Sequence, residues 1–291
     1  MPCFKTICFN KRFISVPAAA AIMLVVLCGF VSTAYAVDDK AAPDFVDYSV
    51  SDDSEAGWAS SVTNKLKQWH VEVGAGVRVA PKFEGSNDLE LSPVPLLSAE
   101  IDDRVKVDPS GVMVKAYEFD NFRLSARLGY DLGRDDDDAH HLKGLGDVGA
   151  GVILGANATY ELGPVELTAA LDRTIGGSNG LVGTLEAKYS RRFGRFTLSA
   201  GPSVTWADGN YMGSYFSVND SHAAKSGLSR YDADAGFKRV DFEASLSYAV
   251  TDNWIIQSRA DLGYLLPAAS DSPIVQQKFQ PSVVLGLAYK F

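Results

Sequence analysis

From Trp69 onward the chain alternates. Val71, Val73, Ala75, Val77 and Val79 fall on every second position, with His70, Glu72, Gly74, Gly76 and Arg78 between them. Successive side chains of an extended strand point to opposite faces, so a period of two predicts a strand with one apolar side. The pattern recurs in Leu89 to Ile101, a strand interrupted by Pro93 and Pro95, and in a short pair, Arg104 to Asp108 and Gly111 to Glu118, around the turn Asp108-Pro109-Ser110-Gly111. It continues through Phe122–Tyr130, Val148–Tyr160, Val165–Leu171, Leu181–Tyr189, Phe196–Trp206, Val240–Tyr248 and Trp254–Tyr264. The last stretch is the clearest. Val283, Leu285, Leu287, Tyr289 and Phe291 share one face, and the chain stops on an aromatic ring. A strand that closes a barrel in lipid needs an apolar outward face and an aromatic at the membrane boundary. Those five residues therefore read as the terminal signal for the barrel-assembly machinery. The expected fold is all-β, a transmembrane antiparallel up-and-down β-barrel.

The connections fix its orientation. Short turns are expected near Asp120-Asn121, Leu162-Gly163, Phe193-Gly194 and Thr251-Asp252, and longer links at Gly133 to Asp147, Asp208 to Tyr231 and Pro267 to Gln277. Outer-membrane barrels keep short turns in the periplasm and long loops outside. With both ends of the barrel periplasmic the strand count is even: about 12, or 10 if the short pair lies outside the wall. Aromatics cluster accordingly, with Trp69, Phe122, Tyr160, Phe193, Tyr248, Trp254 and Tyr289 among those near periplasmic ends and Tyr130, Trp206 and Tyr264 near outer ends. Two such girdles suit the lipid–water boundaries, where an amphipathic ring meets both phases.

Composition adds a compartment. Lys5, Lys11 and Arg12 precede an apolar run, Ala18 to Val31, and a small-x-small site ending at Ala36. Residues 1–36 read as a secretory signal peptide, 37–67 as an acidic periplasmic extension and 68–291 as the barrel. Cys3, Cys8 and Cys28 all lie in the signal, so the remainder has no thiol for disulfide, iron–sulfur or cysteine–zinc chemistry. The signal also holds three of the 27 basic residues and none of the 36 acidic ones, leaving 24 against 36, a formal −12. Nucleic-acid binding needs a basic stripe, so it is not expected. Beyond the signal no stretch nears the about 18 consecutive apolar residues of a membrane helix. The expected surroundings are outer-membrane lipid and lipopolysaccharide.

Alternation also assigns an inward face. Arg78, Arg123, Arg127, Asp131, Glu166, Asp172, Glu186, Arg239, Asp241, Glu243, Arg259 and Asp261 are expected to line the lumen, joined by Glu72, Glu90, Lys188, Arg195 and Lys290. Both signs are present, so the favoured expectation is a lumen filled by ion pairs; the alternative is a narrow solute-selective channel. In the loops, Arg134-Asp135-Asp136-Asp137-Asp138-Ala139-His140-His141 combines carboxylates with imidazoles, which can hold a divalent metal but more commonly form a solvated loop. Hydrolysis would need a nucleophile beside an oriented histidine. Ser221 or Ser226 with His222 or His140 is the available combination and carries no nucleophile motif. Neither catalysis nor a cofactor is expected.

Several landmarks together resemble one family. Phe83-Glu84-Gly85-Ser86 is similar to a Tyr-x-Gly-Ser motif, Pro95 to a proline in the second strand, and Gly144-Leu145-Gly146-Asp147 to a Gly-Leu-Gly-Asp motif. Tyr215-Phe216-Ser217-Val218 resembles Tyr-Phe-Gly-Val, and Ser272-Pro273-Ile274-Val275 with the closing Tyr289-Lys290-Phe291 completes the set. In this order they resemble the MipA/OmpV family of MltA-interacting-protein-like outer-membrane proteins, over Trp69 to Phe291. Phe83 for Tyr and Ser217 for Gly depart from the pattern. The resemblance implies an outer-membrane scaffold linking a lytic murein transglycosylase to a murein synthase, with adhesion or permeability as roles of other members. It supplies no catalytic residue.

Overall fold

The computed structural model describes residues 69–291. The signal peptide and the acidic extension lie outside the described residues. Twelve strands form one closed barrel, with β1 paired to β12. They are β1 (Trp69–Pro81), β2 (Leu89–Ile101), β3 (Val105–Asp108), β4 (Gly111–Phe119), β5 (Phe122–Asp131), β6 (Gly151–Leu162), β7 (Val165–Gly176), β8 (Leu181–Phe193), β9 (Phe196–Ala207), β10 (Gly236–Ala249), β11 (Trp254–Leu265) and β12 (Phe279–Lys290). The hairpin β3–β4 is part of the wall, which decides for twelve strands over ten. Every neighbour is antiparallel and consecutive, as two-residue turns allow.

The closing ladder explains the repetitive last stretch. Val77 faces Leu285, Ala75 faces Leu287 and Val73 faces Tyr289, so the apolar positions of β1 and β12 fall on one side of the sheet. That side is exposed: Leu285 keeps 52% of its surface and Val77 48%. An apolar face this extensive is stable in hydrocarbon and unstable in water. Phe291 N–H bonds the Val71 carbonyl at 3.0 Å. Trp254, Tyr289 and Phe291 stack edge to face, with centroids 5.2 and 4.9 Å apart.

β4 carries a bulge between Lys115 and Tyr117 in its ladder to β5. β2 runs unbroken through Pro93 and Pro95, both within its ladder to β1; the expected interruption is absent. β10 carries a bulge between Phe237 and Arg239. A bulge adds one residue to one side of the ladder and re-aims its side chain. Lys238, which strict alternation would send toward lipid, is instead 7% exposed. Val148 bridges Arg134 in an outer loop, so β6 begins at Gly151 and not at Val148.

The lipid face and the concave face should respond oppositely to the same charge. Leu285→Arg is expected to cost about 2–4 kcal/mol, the penalty for a cation on the lipid side near mid-membrane. Gln257→Arg should be close to neutral, because Gln257 Nε2 already donates to Glu72 at 3.1 Å. Urea titration of the protein folded in phospholipid vesicles measures both.

Candidate functional site: an interlocked outer cap over a charged lumen

The long loops fold into one another over the outer end. In the loop after β9, Asp208 accepts from Tyr211 N–H and caps α1 (Gly209–Phe216). Asn219 caps α2 (Asp220–Ser226), which ends on Gly227 at φ 76°. A side-chain oxygen at such a position satisfies an orphan N–H of the first turn, and glycine tolerates the left-handed exit. Met212 and Phe216, four residues apart, share a helix face and are fully buried with Ala207, Leu265 and Ala269. Ala269 belongs to α3 (Pro267–Ser270), in the loop before β12. A second buried cluster joins Leu142 and Leu145 to Val218 and Ile274, with Phe83 packed against it.

Hydrogen bonds tie the same loops. Ser272 Oγ donates to the Phe216 carbonyl at 2.6 Å. Arg134 donates to the Tyr215 carbonyl at 2.9 Å, and the Tyr215 hydroxyl donates to Asp131 at 2.9 Å. Burial first, and then that bond to Asp131, push the Tyr215 phenol well above its ordinary value. Gln276 and Gln277 N–H both donate to the Gly85 carbonyl, and Gly85 N–H donates to the buried Gln280. The motif stretches Phe83–Ser86, Gly144–Asp147, Tyr215–Val218 and Ser272–Val275, scattered along the chain, thus meet in one structure. Each looked like a separate loop in the sequence.

Beneath this cap the bulged Lys238 reaches Glu84 at 2.8 Å, while Arg239 lies 3.8 Å from the same carboxylate. Lys238 also bonds the Tyr211 hydroxyl at 3.3 Å. Burial alone would raise the Glu84 pKa, but Lys238 and Arg239 outweigh it and hold the carboxyl below its ordinary 4.5. From the sequence Glu84 stood out only as the variable position of the Phe83–Ser86 motif, and Lys238 not at all. The available signal was the three-residue spacing from Phe237 to Val240, which breaks the period of two.

Further down, ion pairs join strands that are not neighbours. Arg127 on β5 pairs with Asp172 on β7, and Arg123 with Glu166 at 3.1 Å. Lys188 lies 2.8 Å from Glu186 and 3.9 Å from Glu243, which also meets Arg259 at 3.8 Å. Arg239 reaches Asp241 at 2.5 Å and Asp261 at 3.9 Å. A side chain that passes over an intervening strand does so most readily across the concave side of a sheet. A cavity of about 300 Å³ among Glu84, Lys238, Arg239, Asp241 and Glu243 remains beneath the cap. Arg78 and Glu90 form no ion pair among the described residues. Arg195 sits in the β8–β9 turn and donates to the Val250 carbonyl at 2.7 Å, so it does not line the lumen.

The loop chemistry resolves differently from its sequence. Ser221 Oγ donates to Asn219 and Ser226 Oγ to the His222 carbonyl, so neither serine bonds an imidazole. His141 bonds the Pro273 carbonyl at 3.1 Å and stacks beside Phe83. Carboxylate oxygens of Asp135, Asp136 and Asp147 lie within 4.8 Å of one another without either histidine. All three accept backbone N–H groups of the loop itself, Asp147 from Asp136, Asp136 from Gly144 and Asp135 from Asp137.

Residues 73–291 match the family described as MltA-interacting protein MipA. The chain belongs to this family. It is 26% identical to the MltA-interacting protein of Escherichia coli K12 over 75% of this chain and 89% of that one. It is also 26% identical to YiaT of Escherichia coli O157:H7, which carries the name of an outer membrane protein, over 80% of this chain and 94% of the other. The NanC porin aligns with 76% of this chain and 100% of its own at a TM-score of 0.41 and 10% identity. This member of the MipA family is an outer-membrane β-barrel.

Glu84→Gln should loosen the cap by roughly 3–5 kcal/mol, because it leaves a buried ammonium without its counter-charge. Adding Lys238→Met should recover most of that loss. Hydrogen exchange at Gln276 and Gln277 reports it, since both N–H groups end on Gly85. Glu84 has a lowered folded pKa, so its stabilisation is complete above the ordinary 4.5 and disappears as pH falls through the lowered value. With the intrinsic pH dependence of exchange divided out, protection of those two amides should therefore fall on acidification in the native protein and lose this dependence in Glu84→Gln.

Proposed function

We propose that this barrel is a non-catalytic scaffold of the outer membrane whose periplasmic rim docks cell-wall enzymes, a murein hydrolase and a murein synthase. The observation that carries the proposal is the interlocked cap. With Phe216 at 1% exposure and Leu142, Met212 and Leu265 fully buried in it, the outer loops are occupied by one another. An open conduit or an adhesive surface would need those loops free. The aromatics that recommend the loop Asp208 to Tyr231 for adhesion, Tyr211, Tyr215 and Phe216, are turned into the cap. Family membership supports the same side, since the family takes its name from a protein that interacts with MltA.

At the opposite end the turns are short and exposed. Arg191, Arg192 and Arg195 surround the β8–β9 turn, all exposed and none paired with a carboxylate among the described residues. Arg191 lies over the Phe193 ring at 5.4 Å. On an acidic protein this is a local basic site suited to an acidic partner surface.

Affinity recovery from solubilised envelopes tests the proposal. The intact protein should retain a murein hydrolase; a variant lacking residues 37–67, and one carrying Arg191→Glu and Arg192→Glu, should each retain several-fold less. Recovery of no murein enzyme by the intact protein would overturn it. Planar-bilayer conductance is the second check: correctly folded protein should be nearly silent, and steady ion flow would favour the channel.

A further inference from the structure

We propose that the barrel wall carries a lateral portal in its outer half, between β2 and the β3–β4 hairpin, through which the acyl chain of a membrane lipid enters the lumen. The opening follows from strand lengths. β2 pairs with β3 through Ala99, Glu100 and Ile101 and no further. The hairpin turns back at Asp108 and Gly111. Above it, Leu89–Ser98 has β1 on one side and no strand on the other, because β5 is three strand places away and no ladder joins it to β2. At about 3.3 Å per residue the unpartnered edge is roughly 30 Å long, measured along the strand.

The edge is shaped against pairing. Alternate backbone groups of an antiparallel strand point to its two neighbours. The ladder to β1 continues through Pro93 and Pro95, so these two prolines occupy positions whose N–H would point to the open side. Without those donors the edge is a poor template for a strand from another protein, and prolines are tolerated at such an edge. A hydrocarbon chain, which needs no backbone partner, is the occupant that fits. Leu91 on one side of the opening is 68% exposed, and Leu132 at the end of β5 is 79% exposed. The hairpin tip is fixed, with the Tyr130 hydroxyl bonded to the Pro109 carbonyl at 2.5 Å.

Behind the opening lies a luminal cavity of about 540 Å³. On the β2 and β12 side it is lined by Val94, Leu96, Val284 and Ala288; the hairpin contributes Lys106 and Asp108, and Glu72, Ser247, Gln257 and Arg259 complete a polar remainder. Leu96 can lie flat here because its neighbours lack side chains. A Cβ on Gly286 would collide with Leu96 Cδ1 and approach the Gly76 Cα to 3.0 Å. The apolar part of this lining, Val94 and Leu96 on the unpartnered strand with Val284 nearby, lies beside the gap in the wall, where an acyl chain would enter.

The absence of cysteine beyond residue 28 makes the test direct. Val94→Cys, Leu96→Cys, Leu285→Cys and Thr168→Cys are each labelled with a bimane fluorophore and placed in nanodiscs made from phosphatidylcholine with brominated acyl chains. Leu285 marks the lipid face, and Thr168 marks the inner face of an intact part of the wall. Heat-shifted gel migration confirms that each barrel is folded. Labels at 94 and 96 are expected to be quenched nearly as strongly as at 285 and at least twofold more than at 168. Quenching at both positions that stays within twofold of the label at 168 would overturn the portal.

Discussion

In hydrocarbon a backbone N–H or C=O has no water to fall back on, and each unpaired group costs several kcal/mol. The ladder between β1 and β12 meets that constraint at the ends of the sheet, because it removes the two edges an open sheet would leave in lipid; the stretch Leu89–Ser98 of β2 is the exception. The other features of the fold follow from closure. Side chains must alternate between lipid and interior, turns at one end can be short, and the aromatic girdles mark where hydrocarbon gives way to water. Closure also concentrates charges on the concave side, where pairs such as Arg127 with Asp172 and Arg123 with Glu166 neutralise one another across an intervening strand.

Two features of the pairing, one at β10 and one at β2, distinguish this barrel. At β10 a bulge turns one lysine from the lipid side to the interior, and the loop after β1 supplies the carboxylate that meets it. A lysine facing hydrocarbon would be costly; a lysine buried against Glu84 anchors the cap instead. At β2 the irregularity is one of length: the hairpin beside it is too short to cover it. The two prolines make that edge inert to strand addition, so a gap that would otherwise invite aggregation is kept available to lipid chains.

The cap, the rim and the portal divide the molecule by solvent. The outer loops bury their apolar and aromatic side chains against each other at the outer end. The periplasmic turns remain short and accessible, with a basic group at the β8–β9 turn. Between them the lumen carries ion pairs on β5, β7, β8 and β10, and the apolar side chains of Val94, Leu96 and Val284 where β2 and β12 flank β1. A scaffold could be built on the rim alone. The lateral gap belongs to a separate part of the wall, and its role does not depend on what the rim holds.

Alternation along single strands was legible without coordinates because it is a local property: Val283, Leu285 and Leu287 declare their common side by spacing alone. The same holds for the outer-membrane setting and for the family likeness carried by ordered motifs, while the choice of twelve strands over ten waited on the place of the β3–β4 hairpin in the wall. What spacing could not show was anything created by contacts between distant segments. Lys238 lies 154 positions from Glu84, and nothing local to either predicts the pair. The convergence of Phe83, Leu145, Val218 and Ile274 into one cluster required four loops to be placed over the same end of a closed wall. Pro93 and Pro95 were visible as prolines, yet their meaning depended on how far the neighbouring hairpin reaches. Periodicity reports which side of a strand meets lipid; only the closed tertiary arrangement decides which strands stand side by side, and therefore where the wall is complete.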